Sequence, residues 1–323
     1  MNQTLNTYQA LVRSELREHR SLLWVPIGAA VLIILLTLAG FFFGNIYLDD
    51  ERYSWLEWLA TVPPGDIEFL DVSIVQQASR GVTAALTALF FVPMLFILYG
   101  YLCGSLHDDR RDRSILFWKS LPISDHETVL AKLLVAVVVV PVVILACVWV
   151  TQVVIMGMAS VGLLYVGFNP IALIWGPAQM LSHAGLLLLS AMTQALWLLP
   201  VAAWLLLCSA YAPRVPWLFA VAVPGLLSVL MRLMDLFMGT HLKALDPFIE
   251  IGRRLFDGPL PTSIHLSFDF DAAEADAMVQ GIPLLQLSEV LSFLSTGRLW
   301  LGLLVAAGLI LLAIDGRRRA VEL

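Results

Sequence analysis

The chain has 323 residues, 59% of them hydrophobic and only 14% charged. A soluble domain could not hide that much apolar surface, and several apolar runs exceed the ~18–20 residues that cross a bilayer. The composition therefore excludes a soluble globular protein and predicts an all-α membrane protein; long uninterrupted apolar runs without strand-like alternation argue against a β-barrel. The net charge of −6 points away from a nucleic-acid partner.

Residues 4–20 are amphipathic. Leu5, Tyr8, Val12 and Leu16 recur at helical spacing, with Arg13, Arg17 and Arg20 on the other side. The segment reads as an interfacial helix with its arginines towards lipid headgroups, or as a plain extension of the first span. Ser21 to Phe43 is longer than the ~7–15 residues of a signal-peptide core, and no small-x-small cleavage site follows, so it is expected to be a retained spanning helix.

Six spans are predicted, near residues 21–43, 81–105, 131–158, 183–209, 217–238 and 298–314. Val290 to Ser295 extends the last of them, with a break near Gly297. Pro93, Pro141, Pro200 and Pro224 fall inside spans, where each removes a backbone hydrogen bond and favours a kink. Cys103, Cys147 and Cys208 also lie in spans, with no metal or redox spacing, and read as packing residues.

With the N-terminus inside, the inner segments hold 12 of the 19 Lys and Arg residues. The charge bias thus predicts both termini in the cytoplasm, and a bacterial inner membrane as the location. Residues 159–182 are apolar but broken by Gly162, Gly167, Pro170, Gly176 and Pro177, which predicts an interfacial or partly re-entrant connection. Residues 239–297 form a large outer segment between spans five and six. It combines an amphipathic piece, Pro247 to Phe256, with an acidic run, Asp269 to Asp276, that lacks the turn glycine and closing glutamate of a calcium loop.

Catalytic signatures are missing. No phosphate-binding G-x-x-x-x-G-K-[ST], no H-E-x-x-H and no G-x-S-x-G occurs, and the six histidines have no ligand spacing. No enzyme activity, metal or cofactor is expected in the chain itself. Polar residues within spans are the default functional candidates. Arg232 and Asp235, at i and i+3, can pair on one helix face; they read as a polar point on a transport path or as a helix-end pair with Arg232 snorkelling. Gln152 and Gln194 either line the same path or bond neighbouring helices together.

The densest charge lies in the inner loop 106–130. Asp108, Asp109, Arg110, Arg111, Asp112 and Arg113 are followed by the apolar patch Ile115, Leu116, Phe117 and Trp118, then by a turn at Leu121, Pro122 and Ile123. Ser124 and Glu127 have the spacing of a capping box, so a new helix starts near Asp125 and runs into span three. The loop reads as helix, turn, helix. Aromatic anchors beside register-setting charges fit a protein interface, though Phe117 and Trp118 could instead rest in the lipid interface.

On these residues the chain resembles the membrane subunits of ABC-2 type exporters. Asp109-Arg110-Arg111-Asp112, Ser114-Ile115-Leu116-Phe117 and Ser120-Leu121-Pro122-Ile123-Ser124 look like that family's D-R-x-x-x-[ST]-[IL]-x-[FL]…S-L-P-[VI]-S pattern. The continuation through Lys132-Leu133-Leu134 is similar too. The motif covers about 30 residues; six spans and an inner amphipathic helix add a less specific match. The resemblance implies that Asp108 to Ser124 contacts a separate cassette ATPase, which holds the ATP and Mg, with Phe117 and Trp118 as anchors. It also implies a second permease copy around a central path, exporting or flipping a substrate. The low charge of the spans favours a lipid-like, peptide or drug-like cargo over a multiply charged ion. The long outer segment departs from the compact version in that family. Rival readings are a non-transporting ABC-like complex that remodels or regulates an envelope process, and a secondary transporter, for which only Asp235 comes near a coupling carboxylate.

Overall fold

The computed structural model describes residues 2–48, 51–54, 72–120, 122–165, 167–178, 180–238, 246–259 and 287–319. Helix α1 spans Asn2–Glu18 and α2 spans Ser21–Phe43, followed by a short antiparallel hairpin of β1 (Asn45–Leu48) and β2 (Glu51–Ser54). Helix α3 runs over Val72–Arg111, α4 over Ser114–Ser120 and α5 over Asp125–Tyr165. A compact turn of helix, α6, joins Ile171–Trp175 to Gly176–Ala178. Then come α7 (Met180–Tyr211), α8 (Pro216–Met238), α9 (Pro247–Phe256), α10 (Leu287–Ser295) and α11 (Gly297–Arg319).

Six helices (α2, α3, α5, α7, α8 and α11) are long and apolar enough to span a bilayer, as the sequence predicts. The first and fifth spans have their predicted ends to within a residue, whereas the second, third and last run longer than predicted. At 40 residues, α3 is about 60 Å long, twice the hydrocarbon core, so the charges at its end extend the span rather than begin a loop. The expected break before the last span falls between Ser295 and Gly297. The acidic run 269–276 lies outside the described residues.

Helix α7 is the hub, packing against α11, α3, α8 and α5, while α2 lies along α5. The core is built from α3, α5 and α7 through residues such as Phe91, Met94, Val140, Ile144 and Leu206. Helices α2 and α8 keep most of their surface free, including Leu36, Leu226 and Phe237. Apolar side chains on that outer surface have lipid as their solvent, or a second subunit.

The prolines act differently from one another. In α5 a π-helical turn, Val135–Val139, stands just before Pro141, letting the backbone pass the clash between a proline ring and the carbonyl four residues back. A second π-helical turn, Ile171–Trp175, precedes Pro177 in the connection predicted to be interfacial or partly re-entrant. That connection packs on α3, and Trp175 Nε1 donates to Ser160 Oγ on α5 at 2.9 Å. In α8, Pro224 cannot donate to Ala220 O, and Trp204 Nε1 of α7 supplies the missing bond at 3.0 Å. A kink-forming residue thereby fastens two spans.

Candidate functional site

The end of the bundle that carries α4 is built on a buried charge network. Lys132 of α5 lies 2.7 Å from Glu15 of α1 and 3.6 Å from Asp109 of α3. Arg317 of α11 lies 2.9 Å from the same Asp109 oxygen and 3.1 Å from Asp125 at the start of α5. Lys132, Arg317, Asp109 and Glu15 are each at most 5% exposed. Tyr101 closes the set by donating to Glu15 Oε2 at 3.1 Å. Buried charges are expensive unless paired, so these contacts hold four helices in one register.

The predicted docking island is therefore divided. Asp109 is inside the network, and Arg110 turns towards the C-terminal end of α7, donating to Ser209 O at 2.7 Å and Ala212 O at 3.0 Å. Those carbonyls are left over at the helix end, where a cation also suits the dipole. Ser209 Oγ in turn accepts from the backbone N–H groups of Leu106 and His107, both at 2.9 Å. Asp108, Arg111 and Asp112 remain largely in solvent, where Arg111 pairs with both carboxylates. An incoming partner would meet these three, not Asp109 or Arg110.

Arg113 ends α3 in the left-handed region, at φ 57°, and turns the chain into α4. Helix α4 buries Ile115 and leaves Leu116 58% exposed, with Trp118 half-buried. Lys119 Nζ donates to Arg318 O at 3.2 Å, tying α4 to the end of α11. The capping box forms as predicted: Glu127 N–H donates to Ser124 Oγ at 3.2 Å and Ser124 N–H to Glu127 Oε2 at 2.8 Å. Pro122 is exposed, Leu121 lies outside the described residues, and Phe117 is placed by its backbone alone, within α4.

At the other end, α9 folds back against α7 and α8. Asp246 caps it, accepting from the Phe248 and Ile249 N–H groups at 3.1 and 3.2 Å. The same carboxylate accepts from Ser228 Oγ at 2.5 Å and pairs with Arg232 at 3.3 Å. The Ser228 hydrogen bond leads these contacts in holding the Asp246 carboxyl below its ordinary value, against the opposing effect of burial. Arg254, also on α9, is buried. It donates to Trp197 O at 2.9 Å and Arg298 O at 3.0 Å, pairs with Glu250 at 3.0 Å and lies over the Trp197 ring. Gly302 of α11 makes room for it: a Cβ there would meet the guanidinium.

Two cavities flank α9. One, of about 350 Å³, lies among α3, α5, α7, α8 and α9, and the other, of about 550 Å³, among α7, α8, α9 and α11. Val201, Trp204, Pro224 and Ile251 belong to both walls.

The four predicted pathway residues are not gathered in one place. Gln152 is buried and accepts from Thr83 Oγ1 at 2.6 Å, bonding α5 to α3. Gln194 lines the smaller cavity. Arg232 pairs with Asp246 across the α8–α9 junction, and Asp235 stands one turn further along α8. Sequence reasoning missed Glu15, Lys132, Arg317 and Arg254 as structural charges. Glu15 is one turn from the buried Leu11 of α1, beside the apolar stripe read from the sequence, and Lys132 is one turn from Thr128 on the buried face of α5.

Six apolar helices folded about a common core define a multi-pass membrane protein. No protein-family model, curated protein or solved structure matches the chain. Among the described residues no group of three or more His, Cys, Asp or Glu could hold a metal ion.

Proposed function

We propose that this chain is the permease subunit of an ABC-2 type exporter in a bacterial inner membrane, with both termini cytoplasmic. A separate cassette ATPase supplies ATP hydrolysis, two permease copies assemble around the path, and the chain has no catalytic role of its own. One observation carries the reading. The exposed face of α4 and the Asp108, Arg111 and Asp112 charges stand at the ends of α3 and α5, two spanning helices whose bases are locked by Arg317. A push on this hairpin is transmitted along rigid helices instead of being absorbed by a loop. The residues offered to the ATPase are Asp108, Arg111, Asp112, Leu116 and Trp118, and the exposed surface of α2 and α8 is available to the second copy.

The test is whether a cassette ATPase is encoded beside this gene and co-purifies with the chain. Arg111→Glu combined with Leu116→Asp should abolish capture and ATP-dependent transport while leaving membrane insertion and thermal stability intact. Arg110 is left unchanged because it holds the end of α7. Normal ATPase capture by the double variant would remove the coupling role from α4.

A further inference from the structure

Helices α8 and α11 both pack on α7 but not closely on each other, and the larger cavity, of about 550 Å³, occupies the gap between them. Val223 and Leu227 of α8 and Leu301 and Val305 of α11 lie on its wall and are also exposed. The cavity is therefore a slot open sideways, where the solvent of a spanning helix is lipid. Along α11 its wall is Arg298, Leu301, Gly302, Val305 and Leu309, one helical stripe with a cation at its head. The stripe is about 16 Å long at 1.5 Å per residue, close to one leaflet of a ~30 Å hydrocarbon core. Trp300, exposed beside Arg298, is the kind of residue that settles at the headgroup level.

The polar groups at the mouth divide into engaged and free ones. Glu250 uses both carboxylate oxygens, on Arg254 Nε and Arg253 Nη1, each at 3.0 Å. Arg254 is buried and also holds Trp197 O and Arg298 O. The Arg298 guanidinium is exposed and has no hydrogen-bond or ion-pair partner among the described residues. Three cations thus stand around one carboxylate, and the N-terminal dipole of α11 adds positive potential at the same point. We propose that the slot binds one net-anionic phospholipid of the phosphatidylglycerol type, with an acyl chain along Leu301, Val305 and Leu309 and its phosphate on Arg298. The ammonium of a choline or ethanolamine headgroup would instead bring a fourth cation to that single carboxylate. The site belongs to the membrane face that carries α9, and neither its lining nor its charge depends on the export reading.

The experiment uses the full chain in phosphatidylcholine nanodiscs with a small fraction of phosphatidylglycerol carrying an acyl-chain diazirine. Saturable labelling of α8 and α11 along the slot is expected, displaced by unlabelled phosphatidylglycerol but not by added phosphatidylcholine or inorganic phosphate. Arg298→Gln should raise the half-saturating fraction about tenfold, the loss of one charge-assisted contact, and Arg298→Lys should restore most of it. Both changes are made at an exposed side chain that holds no other group, so the fold stays intact. Val305→Trp places a large ring in the slot from an exposed position and should remove saturable labelling with Arg298 unchanged.

Labelling that rises without saturation, and falls equally on α11 and on the exposed Leu36 of α2, would reduce the site to bulk lipid. Unchanged half-saturation in Arg298→Gln, or saturable labelling retained in Val305→Trp, overturns the assignment. Equal competition by phosphatidylcholine overturns it too, since the acyl chain alone would then be held. A disulfide-linked dimer of Val305→Cys on oxidation, with no lipid adduct in wild type, would give the slot to a second copy of the chain. Normal ATPase capture without Arg298-dependent labelling removes this site alone, and the reverse result removes the export reading alone.

Discussion

Lys132→Met tests whether the buried charges hold the α4 end together. Lys132 Nζ is 2.7 Å from Glu15 and 3.6 Å from Asp109, gross attractions of about 6 and about 5 kcal/mol at an effective dielectric constant near 20. Desolvation offsets most of that gain, so the pair contributes far less than these figures. Removing the cation alone, however, leaves Glu15 buried and unpaired, which costs about 3–5 kcal/mol. Asp109 keeps Arg317 and is only partly affected. At about 2 °C per kcal/mol for a chain of this size, the melting temperature in detergent should fall by roughly 6–10 °C. Adding Glu15→Gln removes the stranded charge, and the double variant should recover about 2–3 kcal/mol relative to the sum of the singles. The second readout is local. Glu15 is the charged anchor of α1, so trypsin should cut after the exposed Arg17 faster in Lys132→Met than in wild type. A melting temperature within about 1 °C of wild type, or strict additivity in the double variant, would refute the claim that these charges are buried as one network.

Three other outcomes follow from the same geometry. Arg254→Ala strands Trp197 O and Arg298 O and should lower stability by about 3 kcal/mol; Gly302→Ala displaces the same guanidinium, so the two losses should not add when combined in a thermal-shift comparison. The lowered pKa of Asp246 makes its anchoring of α9 complete above the ordinary value of 3.8 and lost as pH falls through the lower, folded-state value; the melting-temperature gap between wild type and Asp246→Asn should therefore be constant at neutral pH and close in strong acid. Arg113→Gly relieves a left-handed residue at φ 57° and should raise stability by about 1 kcal/mol, visible as a melting temperature about 2 °C higher.

The helices were legible because bilayer crossing imposes long apolar runs, and the α4–α5 turn was legible because Ser124 and Glu127 form a local motif. Both signals act over short stretches of sequence. The charge network was not legible, because it joins residues from opposite ends of the chain: Arg317 bonds Asp109 from 208 positions away. In sequence, Lys132 and Arg317 look like ordinary basic flanks of a span, the residues that set orientation. Folding places them instead where Glu15 and Asp109 can neutralise them. Arg232 shows the same limit on a smaller scale, since i,i+3 spacing offers Asp235 while tertiary structure also brings Asp246 from the next element. The role of α9 was only partly readable. Its amphipathic pattern was evident, but the sequence does not say that Arg254 carries it onto α7 and α11.

The coupling proposed for α4 depends on the way the helices are tied. Arg317 binds α11 to both α3 and α5, and Lys132 adds α1, so a force applied at α4 acts on these helices as one body. Helix α7 follows them, since it packs along α11 and is clamped to α3 through Ser209 and Arg110. Helix α8 is held differently. Few of its residues are buried, and its polar ties among the described residues include Tyr99 to Trp217 O, Trp204 to Ala220 O, and Ser228 and Arg232 to Asp246. Two of these three ties lie on the wall of the 350 Å³ cavity, and the third anchors α9, which forms its side. The wall of this cavity on the α8 side is therefore held by fewer buried contacts than the body locked through Arg317 and Lys132. Pro224 creates one of these ties: a continuous helix there would have bonded Ala220 O itself and taken the acceptor that Trp204 Nε1 uses.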